Sequence, residues 1–312
     1  MPYPHPVPAG ASVTGQHALN ALYQHRLVST GQLHRLITPQ HTRSEYLRRQ
    51  LQSLRTDGLV ECVNRRRHGQ SELLWWLTAA GAEAVEATGL LAKRPYRMSP
   101  QAAAGPLQEH TLATVETGLA FVTHAARLGH ECGPLDWSPE IAHYYRCDDR
   151  PGEELSLIPD AVLHYVHTQA DRRTLLTFFL EVDRTQMTVG RLAHKLHAYA
   201  AYHAYTPQPA NRAARHHSRP QPTWRSRYPL YPRILLVLTG ATPARLQRRI
   251  HDLRSLAAAD PHLATTGIKA GATTLDQLRD QGPFAPIVTP VLGSATPTDI
   301  WLTATTPAAT AA

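Results

Sequence analysis

The chain has 312 residues, of which 42% are hydrophobic, and a formal net charge of +8 with histidine neutral. This length predicts two domains with ordinary hydrophobic cores, and the basic charge favours a polyanionic partner, most commonly nucleic acid. Three scattered cysteines with no CxxC pair exclude a disulfide framework and a thiolate zinc site.

The sequence does not have the patterns expected of a secretory signal peptide or of a membrane-spanning segment. The first residues lack a basic start followed by an apolar stretch, and no run approaches the ~18 apolar residues that cross a bilayer. We therefore expect a soluble, cytoplasmic protein without membrane contact. The alternative is that the arginine-rich composition reflects genomic base content. The positions of the arginines along the chain, and not their total number, therefore distinguish a nucleic-acid-binding protein from this alternative.

The first domain is expected over residues 15–88, after a proline-rich segment, residues 1–14, that is expected to be disordered. Apolar residues at helical spacing, polar caps and turn residues predict its elements. In chain order they are a helix from Gln16, a short helix capped by Ser29 or Thr30, a helix from Thr42 to Gly58, two strands around His68-Gly69-Gln70, and a helix ending near Gly89.

Three helices, a two-stranded hairpin and a further helix resemble a winged helix-turn-helix. From Arg43 to Arg67 the sequence has seven arginines against three acids. In such modules the third helix enters the major groove and the wing follows the DNA backbone. The resemblance implies DNA contacts from the exposed side of the third helix and the wing tip, namely Arg43, Tyr46, Arg49, Gln50, Arg65, Arg66 and Arg67. The alternative is a winged helix used only for protein contact.

A second domain is expected over residues 107–303, after a linker at residues 89–106 that has three prolines and no periodicity. Residues 206–231 are expected to be a mobile, basic, proline-rich loop within it, and residues 304–312 a disordered tail. Its predicted elements are a helix at 107–128, strands at 136–146, 156–167 and 174–184, a helix at 188–205, a strand at 233–240, a helix at 242–257, a strand at 267–270, a helix at 275–281, and strands at 285–291 and 299–303.

Two neighbouring strands of this domain each deliver a carboxylate, and the next helix adds a lysine. The run LLTFFLEVDR is apolar until Glu181 and Asp183, which is typical of a buried strand that brings its charges out at one end. The preceding strand exposes Asp160. Lys195 and Tyr199 share one face of the following helix because they are four residues apart. Carboxylates and a lysine at one end of a sheet indicate a site for a divalent cation and a phosphate.

The order of elements over residues 107–257 resembles the PD-(D/E)xK nucleases, a restriction-endonuclease-like mixed-sheet α/β fold. Pro159-Asp160 matches the first carboxylate, Glu181 the second, and Lys195 with Tyr199 the QxxxY element. The resemblance implies Mg²⁺, with Mn²⁺ as a substitute, held by Asp160, Glu181 and Asp183 while Lys195 stabilises developing charge. One departure is Asp183, which stands where the superfamily has lysine. The alternative is a degenerate site whose carboxylates form internal salt bridges.

A winged helix fused to a PDA…LEVDR…KLxxY core resembles the replication-relaxation family of actinobacterial and other Gram-positive mobile elements. The resemblance implies a DNA-binding protein of plasmid replication or conjugative transfer. Relaxosome or replication proteins, and a second copy of the chain as a homodimer, are the other expected partners. Two alternatives are an active Mg²⁺-dependent endonuclease or nickase, and a transcriptional repressor whose inactive second domain mediates dimerisation.

Overall fold

A computed structural model describes residues 11–67, 69–146, 153–207 and 220–302 of the chain. The chain divides into two compact units between Pro139 and Glu140. Each unit combines helices with β-strands, which confirms the predicted mixed α/β class. Within the described ranges, every helix is too short or too polar to span a bilayer.

The first unit follows the element order from which the winged helix-turn-helix was predicted. Its three-stranded sheet has the order β1-β3-β2, with both pairs antiparallel. The elements are α1 (Val13–His25), β1 (Val28–Ser29), α2 (Thr30–Ile37), α3 (Glu45–Thr56), β2 (Val60–Arg67), β3 (Gln70–Leu77), α4 (Ala79–Ala87), α5 (Pro100–Ala103), α6 (Gln108–Leu128) and β4 (Trp137–Pro139).

Polar caps set the starts of the first two helices. The Ser12 hydroxyl accepts a hydrogen bond from the backbone of Gly15, so α1 begins inside the segment that was expected to be disordered. Ser29 and Gln32 form a capping box at α2, the residue Ser29 being one of the two predicted caps. Residues 1–10 lie outside the described part of the chain.

Helix α6 belongs to the first unit, whereas the sequence placed it in the second domain. Leu112 is buried in a cluster with Leu27 and with Leu74 and Trp76 of β3. The Gln32 side chain donates a hydrogen bond to the Leu112 carbonyl at 2.9 Å. The boundary at 139/140 therefore differs from the expected one at 106/107. An amphipathic pattern shows that one helix face is buried, but not which core covers it.

The segment after α6 is also held by the first unit. Gln24 donates to the Trp137 carbonyl at 2.6 Å, and the His25 ring stacks on the Trp137 ring at 4.1 Å. A side chain at Gly118 would overlap the same indole ring. Burial lowers the pKa of His25 to about 3, so this histidine is neutral where it packs.

Five strands of the second unit form one mixed sheet in the order β11-β10-β9-β8-β7. Strands β8, β9 and β10 are parallel, while β7 and β11 are antiparallel to their neighbours. The elements are β5 (His143–Tyr145), β6 (Leu155–Leu157), β7 (Ala161–Thr168), β8 (Arg173–Asp183), α7 (Val189–Ala204), a 3-10 helix (Thr223–Ser226), β9 (Arg233–Leu238), α8 (Pro243–Ala258), α9 (Pro261–Ala264), β10 (Ala270–Thr274), α10 (Leu275–Gln281) and β11 (Thr289–Pro290).

Several predicted strands are shorter than the sequence suggested. The strand expected at 136–146 is two short strands, interrupted at Glu140, which has a φ of 53°. The strand expected at 156–167 is interrupted before Ala161, since Pro159 has no N–H to donate to a ladder. The strand expected at 285–291 is only Thr289–Pro290, and residues 299–302 form no strand.

Half of the loop that was expected to be mobile is packed into the second core. Trp224 and Tyr228 are buried, and the Trp224 indole donates to the His203 carbonyl at 3.0 Å. The Tyr231 hydroxyl donates to the Tyr199 carbonyl at 2.7 Å. Residues 208–219 of that loop lie outside the described residues.

Candidate nucleic-acid interface and carboxylate site

A groove of about 800 Å³ lies between the start of α2, the exposed side of α3 and the β2–β3 hairpin. Helix α3 buries a leucine stripe and so turns its polar residues outward. We call this cavity the first-unit groove. Its charged and amide-bearing lining residues are Arg48, Arg49, Gln52, Arg65, Gln70 and Glu72.

Arg48 and Arg49 are the available cations of the first-unit groove. Both side chains are exposed, and among the described residues neither forms an ion pair or a side-chain hydrogen bond. Arg49 was predicted as a DNA contact, and Arg48 was missed. Arg48 and Gln52 are four residues apart and both lie off the leucine stripe, so the same helical spacing would have found them.

The other predicted contacts of this helix are placed differently. Arg43 is exposed but precedes α3, and Tyr46 is exposed on its first turn. The side-chain amide oxygen of Gln50 accepts a hydrogen bond from the Ser12 hydroxyl at 2.5 Å. Gln50 is therefore directed to the start of α1 and is absent from the residues that line the groove.

Of the three predicted wing arginines, the structure describes the side chains of two. Arg65 forms ion pairs with Glu72, at 3.4 Å across the hairpin, and with Glu109 of α6, and its side chain is 13% exposed. Arg66 is exposed. The side chain of Arg67 lies outside the described part of the structure. Glu109 was missed because its contact with Arg65 joins two distant parts of the sequence.

A second acid of α6 makes a similar contact. Glu116 accepts two hydrogen bonds from the Arg35 guanidinium, at 2.8 and 2.6 Å, and one from Gln32 at 3.2 Å. Glu109 and Glu116 are seven residues apart and share one helix face. Two acids of α6 thus neutralise Arg35 of α2 and Arg65 of β2.

The second unit gathers the predicted carboxylates and lysine at the end of β8. We call Asp160, Glu181, Asp183, Lys195 and Tyr199 the carboxylate site. Glu181 is buried, with 3% of its surface exposed. Lys195 forms an ion pair with one of its carboxylate oxygens, and the Tyr199 hydroxyl donates to the other at 2.6 Å. Lys195 and Tyr199 reach the same carboxylate because they lie one turn apart on α7.

Asp160 lies beside Glu181 and changes its electrostatics. One Asp160 oxygen accepts a hydrogen bond from the Val182 N–H at 2.7 Å. Burial, and then the charge of Asp160, raise the pKa of Glu181 to about 7, although Lys195 and Tyr199 act in the opposite direction. Burial opposes the charged form of Lys195, but the carboxylates of Glu181 and Asp160 raise its pKa.

Asp183 is neutralised by an arginine that the sequence analysis missed. Arg249 of α8 pairs with one Asp183 oxygen and also donates to the Met187 carbonyl. The other Asp183 oxygen accepts from the Thr185 N–H at 3.1 Å. The side chains of Asp183 and Arg249 are 2% and 12% exposed. The residue at the lysine position of the nuclease pattern therefore belongs to a buried ion pair.

The two buried acids of the carboxylate site already have partners within the chain. Both oxygens of Glu181 and both oxygens of Asp183 are engaged by groups of the chain itself. Across the described residues, no group of three or more His, Cys, Asp and Glu side chains is arranged to hold a metal. A magnesium ion held by Asp160, Glu181 and Asp183 stays a prediction, without support from this geometry.

A family model described as Replication-relaxation matches residues 19–215. The matched range includes the first-unit groove and all five residues of the carboxylate site, and it ends before Arg249. No curated protein and no solved structure matches the chain.

Proposed function

The chain belongs to the replication-relaxation family, and from this premise we propose that it is a DNA-binding protein of a mobile element that acts in plasmid replication or conjugative transfer. The first unit recognises the DNA through its helices and its hairpin, and the second unit engages the DNA nearby. The observation that carries the proposal is the first-unit groove, because Arg48 and Arg49 are exposed in it without an ion pair.

Unpaired guanidinium groups on the exposed side of a helix suit a DNA ligand. Arginine binds phosphate oxygens and the edge of guanine through parallel hydrogen bonds. Each phosphate that it neutralises releases a counterion, which makes binding stronger and salt-dependent. Arg48 and Arg49 lie on α3, the helix that corresponds to the major-groove helix of winged helix-turn-helix modules.

The first experiment compares Arg48→Ala/Arg49→Ala with the intact chain on a labelled 30-base-pair duplex in a salt titration. Loss of two phosphate contacts should reduce the slope of log affinity against log salt by about 1.8, at about 0.9 for each contact. Arg127→Ala/Lys93→Ala is the matched control, since it removes two exposed charges of the first unit outside the groove. Equal slopes for the two double variants would contradict the groove assignment.

Selection of bound sequences from a random duplex pool then tests how DNA is recognised. A selected site within mobile-element DNA would support the leading proposal. A single operator beside the protein's own gene would favour the repressor alternative.

Endonuclease activity is the second candidate function. It is favoured by one observation, that Asp160, Glu181 and Lys195 lie together at the end of β8. The ion pair of Lys195 with Glu181 favours instead a second unit that engages DNA without cutting it. Supercoiled plasmid incubated with Mg²⁺ or Mn²⁺ separates these outcomes.

Nicking that is lost in both Asp160→Ala and Glu181→Ala would establish the endonuclease. Asp171→Ala is the control, because Asp171 is an exposed acid at the opposite end of β8. Absence of cleavage by the intact chain with either ion would remove this candidate and leave the DNA-binding proposal in place.

A further inference from the structure

We infer that the second unit has its own surface for the DNA backbone, formed by Arg184, Arg191, Arg245 and Arg248, which we call the arginine rim. The inference rests on the proposed function only for the class of ligand, which is DNA. The rim and the first-unit groove have no residue in common and are tested separately.

The topology of the sheet brings these four residues to one edge. Strands β8 and β9 are parallel and in register from Phe178 and Arg233 to Asp183 and Leu238, so α7 and α8 both begin beyond the same edge. The two connecting loops are in contact, because a side chain at Gly240 would come within 3.1 Å of the Arg184 carbonyl. In open α/β sheets, ligands bind at the carboxyl ends of the strands.

Two of the arginines lie one helical turn before the cations of the two ion pairs. Arg191 is four residues before Lys195, which reaches Glu181. Arg245 is likewise four residues before Arg249, which reaches Asp183. Residues four apart share a helix face, so Arg191 and Arg245 each lie one turn nearer the sheet edge than the paired cation.

The charges of the arginine rim are not used within the fold. Arg191, Arg245 and Arg248 are exposed and Arg184 is half-buried. In the part of the chain that the structure describes, none of the four side chains has an ion pair or a hydrogen bond.

The buried acids near the arginine rim are neutralised by cations other than the rim arginines. Glu181 and Asp183 are already paired with Lys195 and Arg249, which leaves Asp160 as the additional carboxylate of the site. Four guanidinium groups around one edge therefore give a net positive surface.

A polyanion with regularly spaced charges satisfies such a surface better than a single small anion. Guanidinium groups are weakly hydrated and bind phosphate oxygens in a bidentate manner. Groups distributed over a loop and the starts of two helices would contact successive phosphates of one strand. The partner that fits is a DNA backbone, either single-stranded or as one strand of a duplex.

The test uses the full chain carrying Arg48→Ala/Arg49→Ala, so that the arginine rim is measured with the groove disabled. Into this background are placed Arg191→Ala/Arg245→Ala, and as a matched control Arg172→Ala/Arg173→Ala, two arginines at the other end of β8. Binding is followed by fluorescence anisotropy on a labelled 30-nucleotide single strand and on a 30-base-pair duplex across a salt series. The rim variant should lower the salt slope by about 1.4 on the single strand and about 1.8 on the duplex.

A conservative variant distinguishes charge from structure. Arg191→Lys/Arg245→Lys should restore most of the slope, while unchanged circular dichroism shows that the alanine variant is folded. The inference would be overturned if the salt slope of the rim variant equalled that of the Arg172→Ala/Arg173→Ala control. It would also be overturned if the chain carrying only Arg48→Ala/Arg49→Ala bound neither the single strand nor the duplex. If Arg48→Ala/Arg49→Ala leaves the salt slope of the otherwise unchanged chain unaltered while Arg191→Ala/Arg245→Ala lowers it, the assignment of the first-unit groove is wrong and that of the arginine rim is supported.

Discussion

The first-unit groove and the carboxylate site both gather cationic side chains, but in opposite electrostatic states. Arg48 and Arg49 are exposed and unpaired in the described structure, whereas Lys195 and Arg249 each face a buried carboxylate. An exposed cation adds little to folding and remains available for a ligand. A cation paired with a buried acid is needed to keep the acid charged. The comparison distinguishes cations that are available for a ligand from cations that stabilise the fold.

The largest effect that tests this comparison is expected for Arg249→Met. It removes the partner of Asp183, whose side chain is 2% exposed, and leaves a buried charge uncompensated. We expect the second unit to lose about 3–5 kcal/mol of its free energy of unfolding. Hydrogen exchange of β8 measures that loss locally.

Two variants serve as controls for this measurement. Asp183→Asn/Arg249→Met removes both charges and should recover most of the loss. Arg48→Ala should change the free energy of unfolding by no more than about 0.5 kcal/mol, as is usual for an exposed residue. A similar small effect for Arg249→Met would show that the ion pair is not structurally important.

The next largest effect is a pH dependence at Glu181. Its pKa is raised from 4.5 to about 7, so the folded state binds the proton more tightly than the unfolded state. The contribution of this carboxyl to stability is fully present below pH 4.5 and is lost as the pH rises through 7. The free energy of unfolding of the wild type minus that of Glu181→Gln should fall between pH 5 and pH 8, by about 1–3 kcal/mol. Urea unfolding of both proteins measures it, and a difference that increases with pH would contradict the assignment.

His25 gives the stability of the first unit a pH dependence of opposite sign to that expected for Glu181. Burial lowers its pKa from 6.5 to about 3, so its contribution is present above pH 6.5 and is lost as the pH falls towards 3. Hydrogen exchange of α1 in the wild type and in His25→Gln, compared at pH 7 and pH 5, should show the wild type losing more protection on acidification. Equal losses would mean that His25 is not kept neutral by its packing against Trp137.

The smallest effect is expected at Glu109, which pairs with the partly buried Arg65. In Glu109→Gln the arginine loses one of its two acidic partners, and we expect a stability change below about 1 kcal/mol. Removal of a negative charge near the groove should strengthen DNA binding and steepen the salt slope by up to about 0.9. Glu83→Gln, an exposed acid of α4, is the control, and equal slopes for the two variants would show that Arg65 does not reach DNA.

Local patterns were sufficient where the residues of a feature are close in sequence. The apolar run before Glu181 predicted β8. The spacing of Lys195 and Tyr199 predicted that they share a helix face, and both side chains do contact the carboxylate of Glu181. The leucine stripe of α3 likewise identified its buried side. The family, predicted from the same motifs, is confirmed over residues 19–215.

Features that depend on contacts between distant segments could not be predicted in this way. In the sequence, nothing distinguishes Arg249 from the other arginines of α8. Its ion pair with Asp183 depends on the folding of the sheet. Glu109 was missed for the same reason. The proline and arginine content of the segment after residue 219 predicts a mobile loop. Its Trp224, Tyr228 and Tyr231, however, carry more aromatic surface than a solvated loop usually has. Those three residues were the signal that it packs.

The overlap between a side chain at Gly118 and the ring of Trp137 has a consequence for mutational tolerance. Glycine within a helix is about 1 kcal/mol less favourable than alanine, so an isolated helix would gain from the change. In the folded unit the indole ring occupies the space that the new methyl group needs. If both positions were randomised together and folded chains were selected, the survivors should be pairs of complementary volume, with a larger residue at 118 appearing only beside a smaller one at 137.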